Sequence, residues 1–228
     1  MQLAQLALQV QNSKNPAFEA NKIKSDFMAA HKAMIQAFFT LLDSVFTSQE
    51  YHIIFDYLNN SSFFTDPASA KYHNAFYGGL LDHTMNVYQL LNDSMETYNL
   101  KKQGSNRSII VSSLFHDFCK IGNYKTTAAW RKDASNKWES YAGYGYNEDT
   151  FPMGHGEKSV AMIDRLIQLS DEEMLAIRWH SGAFEDGTKL DFVRAAVNRP
   201  LVSMLHTADL NASFLFETQG TVEWLVNL

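Results

Sequence analysis

The sequence predicts a mostly helical chain, all-α apart from one small β-hairpin insertion. Three observations lead there. Apolar residues recur every three or four positions over long stretches. Helix-start and helix-stop residues punctuate those stretches. Strand-like character is confined to one segment, about 123–152.

Residues 1–20 are rich in Gln and Asn with a short apolar stripe, and Pro16 marks a boundary. Over 21–47, Ile23, Phe27, Ala30, Met34, Phe38, Leu41 and Val45 trace one face of an amphipathic helix that either covers the core or forms a dimer face. A shorter helix follows over 48–59, closed by a turn of Asn59, Asn60, Ser61 and Ser62. Gly78 and Gly79 precede a helix over 80–98 with Leu80, Val87, Leu91 and Met95 inward. Residues 108–120 read as a short, very apolar helix stopped by Gly122. The hairpin follows, Tyr124 to Arg131 against Trp138 to Tyr141, turning around 133–137. Helices resume over 157–169 and from the Ser170–Glu173 capping box through His180, where Gly182 ends the run. The last starts near Pro200 and carries Leu201, Met204, Leu205, Ala208 and Phe216.

At 228 residues, 46% hydrophobic and 19% charged, the chain suits one core-bearing domain, with or without an extension. A net charge of -6 argues against a broad electrostatic grip on duplex DNA, yet leaves room for a small anion in a locally positive, metal-containing pocket. The lone cysteine, Cys119, permits no internal disulfide and reads as a core residue. With no signal-peptide pattern at the start and no bilayer-length apolar run, a cytoplasmic protein without membrane attachment is expected.

Chemistry concentrates in five short segments. His83 stands in the first turn of its helix. His116 and Asp117 interrupt an apolar run, where a buried carboxylate is costly unless paired or metal-bound. His155 lies between two glycines at a helix start, His180 ends a helix, and Asp209 interrupts another. Adjacent helical positions differ by about 100°, so His116 and Asp117 approach one metal from different sides, or Asp117 bridges two. Lys120 fits either a substrate-phosphate contact or a helix-end lysine favoured by the dipole. Tyr72 and His73 either line a substrate pocket or serve packing. His206 fits packing or support of the site, and His31 and His52 are expected at the surface. Trp130, Trp138, Tyr141 and Tyr144 either stack a nucleobase as a lid or hold the hairpin on the bundle.

The words NAFYGGLLDHT, LFHDFCKIG, GHGEKS, IRWHSGAFEDG and LHTADLNAS, in this order over roughly 66–216, resemble the HD-domain superfamily of metal-dependent phosphohydrolases, including members that act on RNA ends. The resemblance implies an HD-domain helical bundle over 61–228, with 1–60 as a helical extension packed on it. It implies one metal on His83, His116, Asp117 and Asp209, and a second on His155 and His180, with Asp117 bridging. Imidazole and carboxylate ligands suit two divalent ions from among Mn, Fe, Co, Ni and Zn.

The activity implied is hydrolysis of a phosphoester of a nucleotide or nucleic-acid end, a phosphohydrolase or phosphodiesterase reaction with Asp117 and Lys120 as catalytic groups. Lys120 is assigned to the substrate phosphate, with Lys125, Arg131 and Lys158 as weaker candidates. A small nucleotide or other phosphoester is favoured over short nucleic acid, since no OB-like strand run precedes the motifs. A similar ligand set occurs in HD-type di-iron oxygenases acting on small polar substrates, which is the alternative. A homodimer through 21–60 is a further expectation.

Overall fold

A computed structural model describes residues 2–9, 16–101, 105–183, 189–226 and 228. The chain is mostly helical with one two-stranded antiparallel sheet. In chain order the helices are α1 (Gln2–Gln9), α2 (Pro16–Asp43), α3 (Ser48–Asn59), α4 (Gly79–Thr97) and α5 (Asn106–Phe115). After strands β1 (Tyr124–Lys132) and β2 (Trp138–Tyr146) come α6 (His155–Ile163), α7 (Asp171–Trp179), α8 (Lys189–Asn198) and α9 (Pro200–Asn211). The Phe184–Gly187 end of the fourth motif lies outside the described residues. Among the described residues, no helix is long and apolar enough to cross a membrane.

The starts of the helices follow side-chain chemistry. Thr47 and Ser170 each accept from the backbone N–H three residues on, and Glu50 and Glu173 return the bond to the cap N–H, two reciprocal capping boxes. Ser105 caps α5 and Pro200 opens α9. Gly78 precedes α4 at φ 78°, in the left-handed region, and a Cβ there would lie 2.7 Å from the His31 ring.

The packing has two main clusters. Phe38, Leu42, Leu58, Phe63, Leu80, Leu114, Phe115 and Ile177 unite α2, α3, α4, α5 and α7 in one. Val87, Leu91, Ile109, Trp179, Leu201 and Leu205 unite α4, α5, α7 and α9 in the other. α5 is therefore enclosed on all sides, and Ser108 through Phe115 are all buried.

Three expectations need correction. The helix expected over 108–120 stops at Phe115. Asp117 leaves helical geometry (φ -100°, ψ 22°), and only a 3-10 turn, Phe118–Lys120, continues. Phe216 is not on the last helix, because α9 ends at Asn211 in a wider π turn, Ala212–Phe216. His31 is not a surface residue but 4% exposed, stacked on Phe27 and donating Nε2–H to the Phe64 carbonyl at 2.6 Å.

Burial pulls the His31 pKa below its ordinary 6.5, so the unfolded chain takes up this proton before the folded one does. Its contribution to stability is complete above 6.5 and falls away as pH drops from there through the folded-state pKa. Melting temperatures between about pH 7.5 and about pH 5.5 should therefore fall less in His31→Gln than in the unaltered protein. Equal slopes would remove His31 from the acid response.

Candidate metal centre

The polar residues that interrupt the apolar helices converge on one point. α4 supplies His83, the turn after α5 supplies His116 and Asp117, α6 begins at His155, α7 is capped by His180, and α9 carries Asp209. His83, His116, Asp117 and His180 are buried, with side chains no more than 2% exposed. Asp209 at 19% and His155 at 29% open toward solvent.

Their atoms form two groups that share Asp117. On one side, His83 Nε2 lies 3.0 Å from His116 Nε2, 3.2 Å from Asp117 Oδ2 and 3.2 Å from Asp209 Oδ1. His116 Nε2 is 3.4 Å from Asp117 Oδ2 and 3.9 Å from Asp209 Oδ1. On the other side, Asp117 Oδ1 lies 2.7 Å from His155 Nε2 and 3.4 Å from His180 Nε2. Thus the two oxygens of one carboxylate look into two imidazole groups.

Hydrogen bonds behind the rings fix which nitrogen points inward. His83 Nδ1 faces both Glu217 oxygens at 2.9 and 3.2 Å. His116 Nδ1 faces the Ser113 carbonyl at 2.8 Å, and His180 Nδ1 the Ile177 carbonyl at 2.7 Å. Carboxylates and carbonyls only accept, so each Nδ1 donates and each Nε2 is the atom turned to the centre, with a lone pair to offer a cation whenever it carries no proton. Two such lone pairs 3.0 Å apart, those of His83 and His116, repel unless a proton or a cation stands between them. Ligand atoms about 2.0–2.2 Å from a common ion sit roughly 3.0–3.5 Å from one another, so these separations fit a transition metal. The buried His, Asp and Cys groups of this centre could hold metal ions.

Electrostatics favour positive charge on two imidazoles of this cluster, His83 and His155, and negative charge on Asp117. Burial opposes charge on His83, but Glu217, Asp117 and Asp209 overcome it and raise its pKa well above 6.5. At His155, only partly covered, Asp117 and Cys119 overcome the desolvation that opposes charge and lift the pKa to about 10. Asp117 is held well below the carboxylate range, against burial, by Lys120 and His116. Lys120 is itself buried, with Nζ 2.5 Å from Asp117 Oδ2.

Several expected site residues lie elsewhere or act differently. His73 packs its ring 4.9 Å from that of His83, and its Nε2 is buried without a hydrogen-bond partner. Burial, with the charges of His83 and Lys120, lowers its pKa to about 4. Tyr72 is 62% exposed, with the Lys71 ammonium over its ring. Arg131 sits on β1, paired with Glu139 at 2.7 Å and Glu223 at 2.5 Å, so its charge is committed away from the centre. His206 faces the His180 carbonyl through Nδ1 at 2.6 Å and so supports the turn that presents His180. Trp130 and Trp138 are largely exposed on the hairpin. Cys119, as expected, is buried, but its Sγ lies 3.3 Å from His155 Nδ1, at the edge of the centre.

The residue that sequence reasoning missed is Glu217, just after the π turn. Its side chain is fully buried and also accepts from Asn86 Nδ2 at 3.2 Å. No periodicity marks it. The only available signal was a carboxylate following Phe214, Leu215 and Phe216. Glu217→Gln should reduce metal affinity by about 10–100-fold, because an amide supports the His83 donor less well than a carboxylate. Competition against a chelator would measure this, and unchanged affinity would make Glu217 a packing residue only.

No family model, no curated protein and no solved structure matches the chain.

Proposed function

We propose that the chain is an HD-type metal-dependent phosphohydrolase that hydrolyses a phosphoester, of a nucleotide or a nucleic-acid end, at a two-metal centre. The observation that carries this reading is the position of Asp117, whose Oδ2 faces His83 and His116 while its Oδ1 faces His155 and His180. His83, His116, Asp117 and Asp209 would hold one ion, and His155, His180 and the other oxygen of Asp117 a second. Two divalent ions bound there would supply a hydroxide at neutral pH and neutralise phosphate oxygens as charge builds.

The chain's own groups prepare that chemistry. The backbone carbonyls of Ser113 and Ile177, together with Glu217, lock three imidazoles in the metal-binding tautomer. Lys120 keeps Asp117 ionised and places a permanent cation beside the bridging carboxylate, where it meets an incoming phosphate. His155 and Asp209 are the exposed edges through which a substrate reaches an otherwise buried centre.

The test has two parts. Protein purified under reducing, metal-replete conditions is expected to carry about two transition-metal ions per chain. Loaded with manganese, it is expected to hydrolyse bis-p-nitrophenyl phosphate. Metal that stays far below that ratio sinks the two-metal centre. Absent hydrolysis accompanied by oxygen uptake in the iron-loaded protein would replace the hydrolase reading with an oxygenase.

A further inference from the structure

The centre opens on one side into a groove that the ligand set leaves unexplained. Its inner part, about 360 Å³, is lined by Cys119 and His155 and walled by Phe151, Met153 and Lys158. The same three wall residues also line an adjoining part of about 380 Å³, which Arg165 lines as well. Each part lies within the size range of small-molecule sites. The inner end abuts His155, the most exposed of the six clustered residues.

Two properties distinguish this groove from ordinary surface. Its wall carries two uncovered apolar side chains, Phe151 65% and Met153 47% exposed, on a segment without regular secondary structure. Large apolar side chains left uncovered beside a polar centre offer a shelf for a flat ring. The cations along it are also uncommitted. Among the described residues no carboxylate pairs with Lys158 or Arg165, whereas neighbouring Glu157 is taken by Arg178. Lys158 lies one helical turn beyond His155 on α6, and Arg165 follows just past the end of that helix. Imidazole, ammonium and guanidinium thus line adjoining parts of one groove, with Lys158 shared by both.

We propose that this groove is a subsite for a nucleotide carrying a second phosphate, with the base on Phe151 and Met153 and the second phosphate on Lys158 and Arg165. The assignment rests on the phosphohydrolase reading, in which the scissile phosphate occupies the centre beside His155. Ammonium and guanidinium are the side chains that grip a phosphate in water, one as a point charge and the other as a fork. The shared chemistry has two sources, a nucleoside diphosphate and an oligonucleotide end, which differ in whether the second phosphate sits on the first or across the sugar.

Calorimetric titration of the metal-loaded protein with thymidine 5′-monophosphate, thymidine 5′-diphosphate and thymidine 3′,5′-bisphosphate tests the groove directly. At least one doubly phosphorylated probe is expected to bind about tenfold more tightly than the monophosphate. The better of the two identifies the source. Lys158→Ala combined with Arg165→Ala is expected to erase that gain, and Phe151→Ala to weaken all three probes alike. Equal binding of the three probes, or a gain that survives in the double variant, overturns the proposal. If the groove behaves as expected while no phosphoester is hydrolysed, the subsite stands and the hydrolase reading falls. Hydrolysis of bis-p-nitrophenyl phosphate without any second-phosphate gain has the opposite meaning.

Discussion

If the proposed two-metal hydrolase reading holds, Asp117→Ala is expected to lose both metals and to lower phosphodiester turnover by about a thousandfold or more, since among the described residues Asp117 is the group that faces both halves of the centre. The loss should exceed that of any other single ligand. His155, by comparison, touches only the Oδ1 side, so its removal leaves His83, His116 and Asp209 clustered. Asp117→Ala also strands Lys120, a buried ammonium whose Nζ is 2.5 Å from the deleted carboxylate. Breaking a buried pair from one side typically costs about 3–5 kcal/mol. Asp117→Ala/Lys120→Met should therefore recover stability without recovering metal. Elemental analysis, thermal melts and turnover on the same preparations separate these effects. Wild-type metal content in Asp117→Ala would place the centre elsewhere.

Gly156→Ala is expected to damage fold and centre together. A Cβ at Gly156 would lie 2.1 Å from the Arg178 carbonyl oxygen and 2.8 Å from its carbon, both backbone atoms that cannot swing aside. α6 must then draw away from α7, and these are the elements that present His155 and His180. A stability loss of about 2–4 kcal/mol is expected, together with at least one metal. Gly122→Ala is the informative control. Gly122 adopts φ 66°, but a Cβ there meets nothing within 4 Å, so only the cost of left-handed backbone, about 1–2 kcal/mol, should appear. A Gly156→Ala protein with unchanged melting and metal content would show that the two helices do not approach so closely.

The parts of this architecture that could be read in the sequence are those where local chemistry and tertiary context agree. Both capping residues of α7 lie within four positions, so Ser170 and Glu173 announced its start. His116 and Asp117 stood out because they follow eight consecutive positions that the fold buries. That contrast made them candidates, but the early end of α5 was invisible. It coincides with Asp117 leaving helical geometry, where no glycine or proline marks a stop. α8 escaped notice because only Phe192, Ala195 and Ala196 pack inward while its three larger aliphatic residues face out. Leu190, Val193 and Val197 are all at least half exposed, so its pattern carries little core signal. His31 sat on the buried face of an amphipathic helix, but a lone histidine there gives no hint of a carbonyl partner 33 residues away. Glu217 is the extreme case, because its meaning depends on His83 at a separation of 134 residues.

That separation bears on synthesis as well as on chemistry. The groups around the centre are spread from His83 to Glu217, and the first of them is oriented by the last. A growing chain that has released α4, α5, α6 and α7 from the ribosome still lacks Asp209 and the carboxylate that directs His83. Loops this long close late, because their entropy is lost before the contacts that compensate it have formed. On the proposed metal-centre reading, the full set of ligands and the carboxylate that orients His83 come together only after Glu217 has been made. Until then, on that reading, the imidazoles of α4 to α7 stand without Asp209 and without the carboxylate behind His83.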